Sequence, residues 1–195
     1  NNIIAVTGTN GKSSITDFYY QILDLNNKKV ASIGTLGIKS KKFKKDLSNT
    51  TIDPIQLSKI LSHLKKQNIN NVIIEASSHG LSQNRLYGLF FNTGIFTNLS
   101  QDHLDYHKNI KAYLKAKLYL FEKLIRKNGN IITDEKIPEF KKIKSIASNK
   151  NLKLFSLLEK KNNFQFLSHQ YEGEFQLVEI KYNNSIHKIK LNLIG

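Results

Sequence analysis

The sequence predicts an α/β fold, with a mostly parallel sheet flanked by helices and a small C-terminal antiparallel β meander packed beside it. Short apolar runs alternate with segments of helical periodicity through most of the 195 residues, an order that gives a parallel sheet covered by helices. A glycine-rich turn separates the first strand from the first helix, and the last part contains three strand-like runs joined by tight turns. We expect one domain, with a parallel core over residues 1–158 and the antiparallel subregion over residues 159–195.

Each element of the core has a local signature. Apolar runs predict strands over Ile3–Val6, Lys29–Ile33, Val72–Ile74, Ile95–Thr97, Asn130–Thr133 and Leu152–Phe155. Helical spacing gives inward stripes of Ile15, Phe18, Tyr19, Ile22 and Leu23, then of Leu57, Ile60, Leu61 and Leu64. Asp53 and Pro54 mark the start of the second helix, since Asp is a good N-cap and Pro suits the first helical position. Two later helices are predicted over about Ile110–Ile125 and Ile137–Ser148.

The meander is predicted from its turn residues. Glu172-Gly173 and Asn183-Asn184 separate the apolar runs by short polar pairs, which is the spacing of hairpins. The predicted strands are Phe164–Leu167, Phe175–Tyr182 and Ile186–Leu193.

Composition excludes several classes of protein. The sequence has no cysteine, which excludes disulfides and thiolate metal sites and suits a reducing cytoplasm. No apolar run approaches the ~20 residues that span a bilayer, and no signal peptide opens the chain. Because the chain starts at a strand and ends at residues 192–195 without a polar tail, we expect a fragment of a longer protein. We also expect that protein to be cytoplasmic, monomeric and without membrane binding.

The formal net charge of +15 favours polyanionic partners, and nucleic acid is the first class to consider. The densest run, Lys39–Lys45, contains one aromatic residue, Phe43, and is therefore a poor platform for stacking bases. We interpret this run as a mobile loop between two elements, and the remaining excess as solvated surface. We therefore expect no specific nucleic-acid partner, while phosphorylated small substrates would benefit from the positive field.

A phosphate-binding loop is predicted over residues 7–13, Thr-Gly-Thr-Asn-Gly-Lys-Ser. Its glycines let backbone N–H groups approach phosphate oxygens, and the start of the following helix adds partial positive charge. Lys12 would reach the terminal phosphates, and the Ser13 hydroxyl would ligate Mg²⁺. An ordinary glycine-rich turn is the alternative, but strand, loop and helix follow in the order that the motif requires, so the fold is of the P-loop type. The generic loop has a further glycine where this chain has Val6, and its first glycine here is Gly8.

A second polar block follows the strand Val72–Ile74, which ends in the carboxylate of Glu75. Ligands bind at the carboxyl ends of parallel strands, so Glu75 is placed to hold Mg²⁺ directly or through water. The next residues, 76–85, read Ala-Ser-Ser-His-Gly-Leu-Ser-Gln-Asn-Arg. They offer several hydrogen-bonding groups and, in Arg85, a guanidinium suited to a carboxylate or a phosphate.

A third polar block spans residues 97–107 and contains two histidines and two aspartates within six residues. Ser100 can cap a helix, which would place His103 in the first turn at another strand terminus. The cluster favours a metal or nucleotide site as much as a structural role.

Lys117 lies within the apolar stripe of the helix predicted over Ile110–Ile125, three residues from Leu114 and four from Phe121. Burial disfavours the charged form of an inward lysine, which then tends to lose its proton and become nucleophilic. The alternative is that its side chain snorkels along the helix to solvent. Spacing alone leaves both interpretations of Lys117 open.

Together, the three blocks resemble the central, ATP-binding domain of the Mur ligases over about Ile4–Lys117. The short phosphate loop is also similar to that of the folylpolyglutamate synthetases, but their segment after the strand is glycine-rich, unlike this one. Residues 75–81, with Gln83 and Arg85, resemble the Mur ligases that add the third peptide residue of a cell-wall precursor. Near the C-terminus, Leu193–Gly195 resembles the lead-in to the family's next helical segment.

The resemblance implies a role for each matching residue. Those that would hold ATP are Gly8, Thr9, Asn10, Gly11, Lys12, Ser13 and Ser14. Those that would contact the precursor are Asn49, Thr50, Thr51, Ser77, Gln83 and Arg85. Ser13, Glu75 and His103 would serve Mg²⁺. Lys117 matches the lysine that the family carbamylates with CO₂, and the carbamate would supply oxygens to a second Mg²⁺. Catalysis would then depend on Lys12, Glu75, His103 and Lys117.

The reaction implied by the resemblance is ATP-driven amide formation in peptidoglycan synthesis. The terminal carboxylate of UDP-N-acetylmuramoyl-L-alanyl-D-glutamate would attack the γ-phosphate, giving an acyl phosphate and ADP. The amine of meso-diaminopimelate or of L-lysine would then displace phosphate, and the sequence does not distinguish these two amino acids. The family also has a UDP-binding N-terminal domain and a C-terminal domain that recognises the amino acid, so we expect the isolated fragment to be inactive.

Three other functions stay open at this stage. One is a ligase like the folylpolyglutamate synthetases, which share the phosphate loop. Another is a nucleic-acid-stimulated P-loop ATPase, suggested by the charge, which would show steeply salt-dependent binding of DNA or RNA. The third is a regulatory nucleotide-binding module that catalyses no reaction.

Overall fold

Two sheets form the framework of the computed structural model, which describes residues 2–102, 104–156 and 164–192. The strands of the larger sheet are β1 (Asn2–Thr7), β2 (Val30–Gly34), β3 (Gly37–Ser40), β4 (Lys44–Lys45), β5 (Asn71–Glu75), β6 (Phe91–Phe96), β7 (Ile125–Thr133) and β8 (Lys153–Ser156). Their order across the sheet is β4-β3-β2-β5-β1-β6-β7-β8. Six strands pair in parallel, and β3 and β4 add an antiparallel hairpin on one edge. The predicted mostly parallel sheet is confirmed.

Helices cover both faces of this sheet. They are α1 (Lys12–Leu25), α2 (Pro54–Lys66), α3 (Ser78–Ser82), α4 (Leu104–His107), α5 (Ile110–Tyr119) and α6 (Phe140–Asn149). Successive side chains of a strand point to opposite faces, and β1 shows the consequence. Ile4 and Val6 pack with Ile15 and Tyr19 of α1 on one side, while Ala5 belongs to the larger apolar cluster on the other.

The six predicted core strands all form, and two of them begin four or more residues before the predicted start. β6 begins four residues ahead of the predicted Ile95, and β7 begins at Ile125 instead of Asn130. The first part of β7 contains polar and charged residues and has Asn128 at a φ of 60°. The pairing of β6 with β7 changes register in the same region. Since the alternation of apolar residues is lost there, the sequence pattern showed only the second half of the strand.

The stripe predicted for α1 is wrong in part. Thr16 is buried and Ile15 and Tyr19 pack on the sheet, but Phe18 and Ile22 are 45% and 59% exposed. The inward face of the helix is therefore centred on Thr16, and the helical spacing of Phe18 and Ile22 reflects a second, solvent-facing apolar row.

The long helix predicted over about Ile110–Ile125 changes character before its end. α5 ends at Tyr119, and Leu120–Leu124 forms a π-helical turn whose Leu120, Phe121 and Leu124 are buried. A π-helical turn accommodates one extra residue, and the chain passes from it directly into β7. Ile110, predicted to lie on the inward stripe, is 40% exposed.

The run Lys39–Lys45 is a hairpin and not the loop that its charge suggested. Lys39 lies in β3 and pairs with Lys44 of β4, and Ser40 and Phe43 close the turn by hydrogen bonds. The Nζ atom of Lys39 lies 2.7 Å from Oδ1 of Asp17 in α1. Charged residues are common on an edge strand, where they oppose pairing with other chains.

The predicted meander is confirmed as a separate sheet of β9 (Phe164–Glu172), β10 (Phe175–Tyr182) and β11 (Ser185–Leu191). Its order is β11-β10-β9, with antiparallel pairing throughout. Asn183 and Asn184 both have positive φ, 47° and 69°, as a two-residue hairpin turn of type I′ requires. The predicted boundary between residues 158 and 159 and the segment Leu193–Gly195 lie outside the described residues, so the division of the chain stays a prediction.

Among the helices of the described ranges, none combines the length and the apolar character that crossing a bilayer requires.

The predicted start of α2 is confirmed and gives a test of local stability. Oδ1 of Asp53 accepts hydrogen bonds from the backbone N–H groups of Ile55 and Gln56, each at 3.0 Å. Replacing an N-cap carboxylate by Ala removes partners of otherwise unsatisfied donors and costs about 0.5–2 kcal/mol. We expect Asp53→Ala to lower the unfolding free energy by this amount in a urea titration. Asp46→Ala, at an exposed position ahead of the helix, is the control, and equal losses in both variants would contradict the capping role.

Candidate functional site

Four strand ends meet at one edge of the sheet. Val6 pairs with Glu75, Ile33 with Ile74, and Thr7 with Phe96, so the carboxyl ends of β1, β2, β5 and β6 are level with one another. The segments that follow these strands therefore share one edge, the position at which open α/β sheets bind ligands. The three polar blocks of the sequence come together here, as predicted.

The loop after β1 has a shape that only glycine permits at its first position. Gly8 has a φ of 148°, and a Cβ atom on it would lie 1.8 Å from Oγ1 of Thr97. The loop is braced by the segment after β6: the Asn10 N–H donates to Oδ1 of Asn98 at 2.9 Å, and Thr97 Oγ1 donates to the Asn10 carbonyl at 2.7 Å. Gly11, with a φ of 82°, leads into α1 without a side-chain cap. The backbone is thus held ready at a helix N-terminus, which is the arrangement that binds phosphate.

Lys12 folds back over this loop. Its Nζ atom donates to the carbonyl oxygens of Gly8 and Thr9 at 3.0 and 2.8 Å. Burial lowers the pKa of this ammonium, and the negative charges of Glu75 and Asp102 oppose the shift. An ammonium with few water contacts interacts strongly with a phosphate that enters the loop.

Glu75 is the carboxylate at the centre of the site, and it is 1% exposed. Its Oε2 atom accepts hydrogen bonds from the hydroxyls of Ser13 and Thr35 at 3.0 and 3.1 Å, and Oε1 accepts from the Thr35 N–H at 2.9 Å. Gly34 leaves the room for this side chain, because a Cβ atom there would lie 2.2 Å from Oε1. One carboxylate beside a hydroxyl, next to a phosphate loop, is the donor set with which proteins hold Mg²⁺ together with substrate phosphates.

Asn49, Thr50 and Thr51 run along the same edge. Thr51 Oγ1 donates to the backbone carbonyl of Glu75 at 2.8 Å and accepts from the Ser77 N–H at 2.9 Å. Arg85 Nη1 donates to the Thr51 carbonyl at 2.6 Å. The segment of residues 49–51 and the phosphate loop face each other across one open cleft. Its lining consists of Thr9, Asn10, Gly11, Lys12, Ser13, Ser14, Thr35, Asn49, Thr50, Thr51, Ser77, His79, Gln83 and Arg85.

Lys117 is buried, which decides between the two interpretations that its place in the apolar stripe left open: the snorkelling alternative is wrong. The residue is 1% exposed, and its Nζ atom donates to the Gly8 carbonyl at 2.7 Å, the same oxygen that Lys12 contacts. It also lies 4.2 Å from the centre of the Tyr113 ring. Burial, and then the positive charge of Lys12, lower the pKa of Lys117 to about 7. A large fraction of this amine is therefore neutral near neutral pH, which is the nucleophilic form.

The third block differs from the prediction. The helix there is α4 and begins at Leu104, so Ser100 does not cap it. Instead the Ser100 N–H donates to Thr9 Oγ1 at 3.0 Å and helps to hold the phosphate loop. His103 lies outside the described residues, so its predicted place stays a prediction. Within the part of the chain that the structure does describe, no group of three or more acidic, histidine or cysteine side chains is arranged to hold a metal ion.

Sequence reasoning missed three residues that shape the site. Thr35 contributes two of the hydrogen bonds to Glu75, Thr97 closes against Gly8, and the Tyr113 hydroxyl lies 3.2 Å from Thr9 Oγ1. Thr35 follows Gly34 directly at the carboxyl end of β2. A polar residue at that position, next to the strand carrying Glu75, was the available signal. Nothing in the sequence pattern connects Tyr113 with residue 9.

Comparisons with known proteins bear on the resemblance. The Mur ligase middle domain matches residues 6–195. The chain is 37% identical over 191 residues to the UDP-N-acetylmuramoyl-L-alanyl-D-glutamate–2,6-diaminopimelate ligase of Zymomonas mobilis, covering 98% of this chain and 39% of that protein. It is 38% identical over 198 residues to the ligase of the same name from Rickettsia montanensis, covering 100% and 41%. The chain thus spans about 40% of the length of these curated relatives.

Solved structures show the same fold. A structure of a UDP-N-acetylmuramoyl-L-alanyl-D-glutamate–2,6-diaminopimelate ligase superposes with a TM-score of 0.83 at 28% identity, covering 100% of this chain and 40% of that one. An FPGS–AMPPCP complex has a TM-score of 0.74 at 14% identity, covering 100% and 54%. The MurF ligase of Thermotoga maritima in complex with ADP has a TM-score of 0.68 at 15% identity, covering 97% and 40%. The last two likenesses concern the fold alone.

The burial of Lys117 makes stability depend on pH. Its pKa is about 7 in the folded chain, against an ordinary value of 10.5, so between these values the unfolded chain binds more protons at this site. Stability must then rise with pH across that window, by up to about 1.4 kcal/mol per pH unit from this group. We expect Lys117→Met to flatten the slope of unfolding free energy against pH between pH 7 and 9, measured by urea denaturation.

The matched control for this experiment is Lys115→Met, on the exposed side of α5, which should keep the wild-type slope. Parallel slopes for wild type and Lys117→Met would show that Lys117 does not titrate in this range.

Proposed function

The chain belongs to the Mur ligase family, as its middle domain, and on that premise we propose that it is the nucleotide-binding part of a longer, ATP-dependent ligase that forms an amide bond. One observation carries the proposal: Lys12, Ser13 and Glu75 lie together at the phosphate loop, and Arg85 lines the same cleft. The cleft thus offers a cation and a phosphate loop for a triphosphate, and a guanidinium suited to a carboxylate. An acyl-phosphate reaction needs these two partners side by side.

The substrates of the proposed reaction follow from the relatives. Two of them, about 37–38% identical over nearly the whole chain, are named UDP-N-acetylmuramoyl-L-alanyl-D-glutamate–2,6-diaminopimelate ligases. We propose that the carboxylate comes from UDP-N-acetylmuramoyl-L-alanyl-D-glutamate and the amine from meso-diaminopimelate, with L-lysine as the competing diamino acid. The precursor would be held by six residues: Asn49, Thr50, Thr51, Ser77, Gln83 and Arg85.

Different residues of the described part position the two substrates and neutralise the phosphate charge. The backbone of residues 8–14 would bind the phosphates of ATP, and Lys12 would leave the carbonyls of Gly8 and Thr9 to contact the terminal phosphate. Arg85 would orient the attacking carboxylate, anchored through Thr51. In phosphoryl transfer most of the rate enhancement comes from such positioning and electrostatic stabilisation.

The donor set around Glu75 fits Mg²⁺, because a buried carboxylate and the Ser13 hydroxyl are already 3.0 Å apart. Ser13 and Glu75, with His103 as the further predicted ligand, would hold the ion, which neutralises phosphate charge when bound. Lys117 fits carbamylation by CO₂, because its pKa of about 7 leaves neutral amine available at the site. Its carbamate would add oxygen ligands for a second Mg²⁺.

The activity, the substrates and the partners belong to the longer protein. We propose that the remainder supplies the UDP-binding and amino-acid-binding domains of the family, so that the 195-residue chain alone does not form the product. Two alternatives are distinguishable in the same preparation. A folate-specific ligase would extend folate with glutamate, and a nucleic-acid-stimulated ATPase would hydrolyse ATP faster with DNA or RNA.

The reaction is tested with the full-length protein, ATP, Mg²⁺, UDP-N-acetylmuramoyl-L-alanyl-D-glutamate and either diamino acid, with products weighed by mass spectrometry. We expect the mass of the diaminopimelate-containing tripeptide precursor. A protein that extends folate and leaves this precursor unchanged would contradict the proposal.

The role of Lys12 is tested in the same assay. Removing a group that stabilises charge in the transition state costs a factor of about 10²–10³ in rate, so Lys12→Ala should lose at least 100-fold in kcat. Lys28→Ala, at an exposed position past the end of the same helix, should keep wild-type kcat. A Lys12→Ala variant with unchanged ligation would remove Lys12 from the mechanism.

A further inference from the structure

The rim of the cleft carries a tyrosine that the proposed function does not use. Tyr106 lies in α4, and its hydroxyl contacts two residues of the polar block after β5: Ser82 Oγ at 3.1 Å and Gln83 Nε2 at 3.2 Å. Gln83 lines the cleft and Tyr106 does not. We propose that Tyr106 is a positioning residue that orients the Gln83 carboxamide, so that its oxygen accepts a hydrogen bond from an N–H group of the bound precursor. The inference rests on the proposed function for the identity of that ligand.

The directions of the hydrogen bonds follow from counting protons. Ser82 Oγ has one proton, and it donates this proton to the His79 carbonyl at 3.1 Å. The Tyr106 hydroxyl therefore donates its one proton to Ser82 Oγ. Toward Gln83 it acts as the acceptor. The Gln83 carboxamide has two donor hydrogens on nitrogen and an oxygen that only accepts. Tyr106 thus engages one N–H of the carboxamide and leaves Oε1 as its acceptor for a ligand.

The tyrosine is itself held in place by neighbouring rings. Its ring centre lies 4.1 Å from that of His79 in α3 and 4.7 Å from that of His107 in α4. His107 lies in turn 5.1 Å from the ring of Tyr113, which is buried in α5. Tilted ring contacts at such distances contribute to stability beyond their buried area. The hydroxyl of Tyr106 therefore has a fixed position relative to α3, although the side of the ring that carries the hydroxyl is open to solvent.

The consequence is a specific pattern of recognition. Gln83 presents an acceptor and Arg85, two residues later and also lining the cleft, presents donors. A ligand that satisfies both has an N–H group close to a carboxylate. The terminal amino-acid residue of an acylated peptide has this pattern. Tyr106 would therefore contribute to the choice of the peptide-bearing precursor and not to the handling of ATP.

The test is a double-mutant cycle in the full-length protein with Tyr106→Phe and Gln83→Leu. Tyr106→Phe keeps the ring contacts and removes only the hydroxyl. Loss of one neutral hydrogen bond at a partly exposed site should raise KM for UDP-N-acetylmuramoyl-L-alanyl-D-glutamate about five- to ten-fold, with KM for ATP and kcat changed less than two-fold. In the Gln83→Leu background the same substitution should have no further effect, because the residue acts through Gln83. Tyr87→Phe, at a 74% exposed tyrosine, should match wild type.

A second readout separates this inference from the proposed function. The side-chain amide resonances of Gln83, followed by NMR in the 195-residue chain, should shift in Tyr106→Phe and stay unchanged in Tyr87→Phe. Unchanged Gln83 resonances, or effects of Tyr106→Phe that persist in full without Gln83, overturn the positioning role. If the resonances shift but wild type forms no tripeptide precursor, the proposed reaction fails while the contact between Tyr106 and Gln83 stands.

Discussion

The buried carboxylate of Glu75 is the constraint on which the rest of the site depends. A carboxylate that is 1% exposed must have its oxygens satisfied by donors. Here the donors come from Ser13 at the start of α1 and from Thr35 after β2. The backbone carbonyl of the same residue accepts from Thr51. One residue thus ties together three segments that are distant in sequence, and two of them, at Ser13 and Thr35, supply the donors that offset the cost of burying its charge.

This constraint explains why the small residues of the site lie where they do. Gly34 stands where a Cβ atom would displace the Glu75 carboxylate, and Gly80 stands where one would meet the Thr51 side chain at 2.6 Å. Gly8 is required by Thr97 in the same way. The three glycines thus let neighbouring segments at this edge approach more closely than a Cβ atom would permit.

The sequence predicted the structural features that depend on neighbouring residues or on the periodicity of helices and strands. The parallel core, the meander and the cap at Asp53 all depend on neighbours within a turn or two of helix or strand, or on a two-residue turn. The phosphate loop was recognisable because its chemistry needs glycine, lysine and a hydroxyl in a short order. Its partners across the edge, from Glu75 to Arg85, could be placed nearby because parallel strands end on one side.

The rest depended on contacts between segments that no local pattern connects. Thr35 acquires its role only through the pairing of β2 with β5, and Tyr113 only through the packing of α5 against the phosphate loop. The π-helical turn at Leu120–Leu124 arises where α5 must pass into β7, and helical periodicity gives no sign of it. The lysine-rich hairpin shows the opposite error: its charge suggested a mobile loop, but strand pairing and the ion pair of Lys39 with Asp17 hold the backbone in a hairpin.

One oxygen in this site has a saturated coordination. The Gly8 carbonyl accepts from both Lys12 and Lys117, and a carbonyl oxygen has two lone pairs. An anion that draws the Lys12 ammonium away frees one lone pair and removes a repelling neighbour from Lys117, whose proton affinity must rise in response. By thermodynamic reciprocity, protonation of Lys117 and occupation of the loop by an anion favour each other. The charge repulsion between Lys12 and Lys117 therefore couples anion uptake to proton uptake as long as Lys117 carries no carbamate.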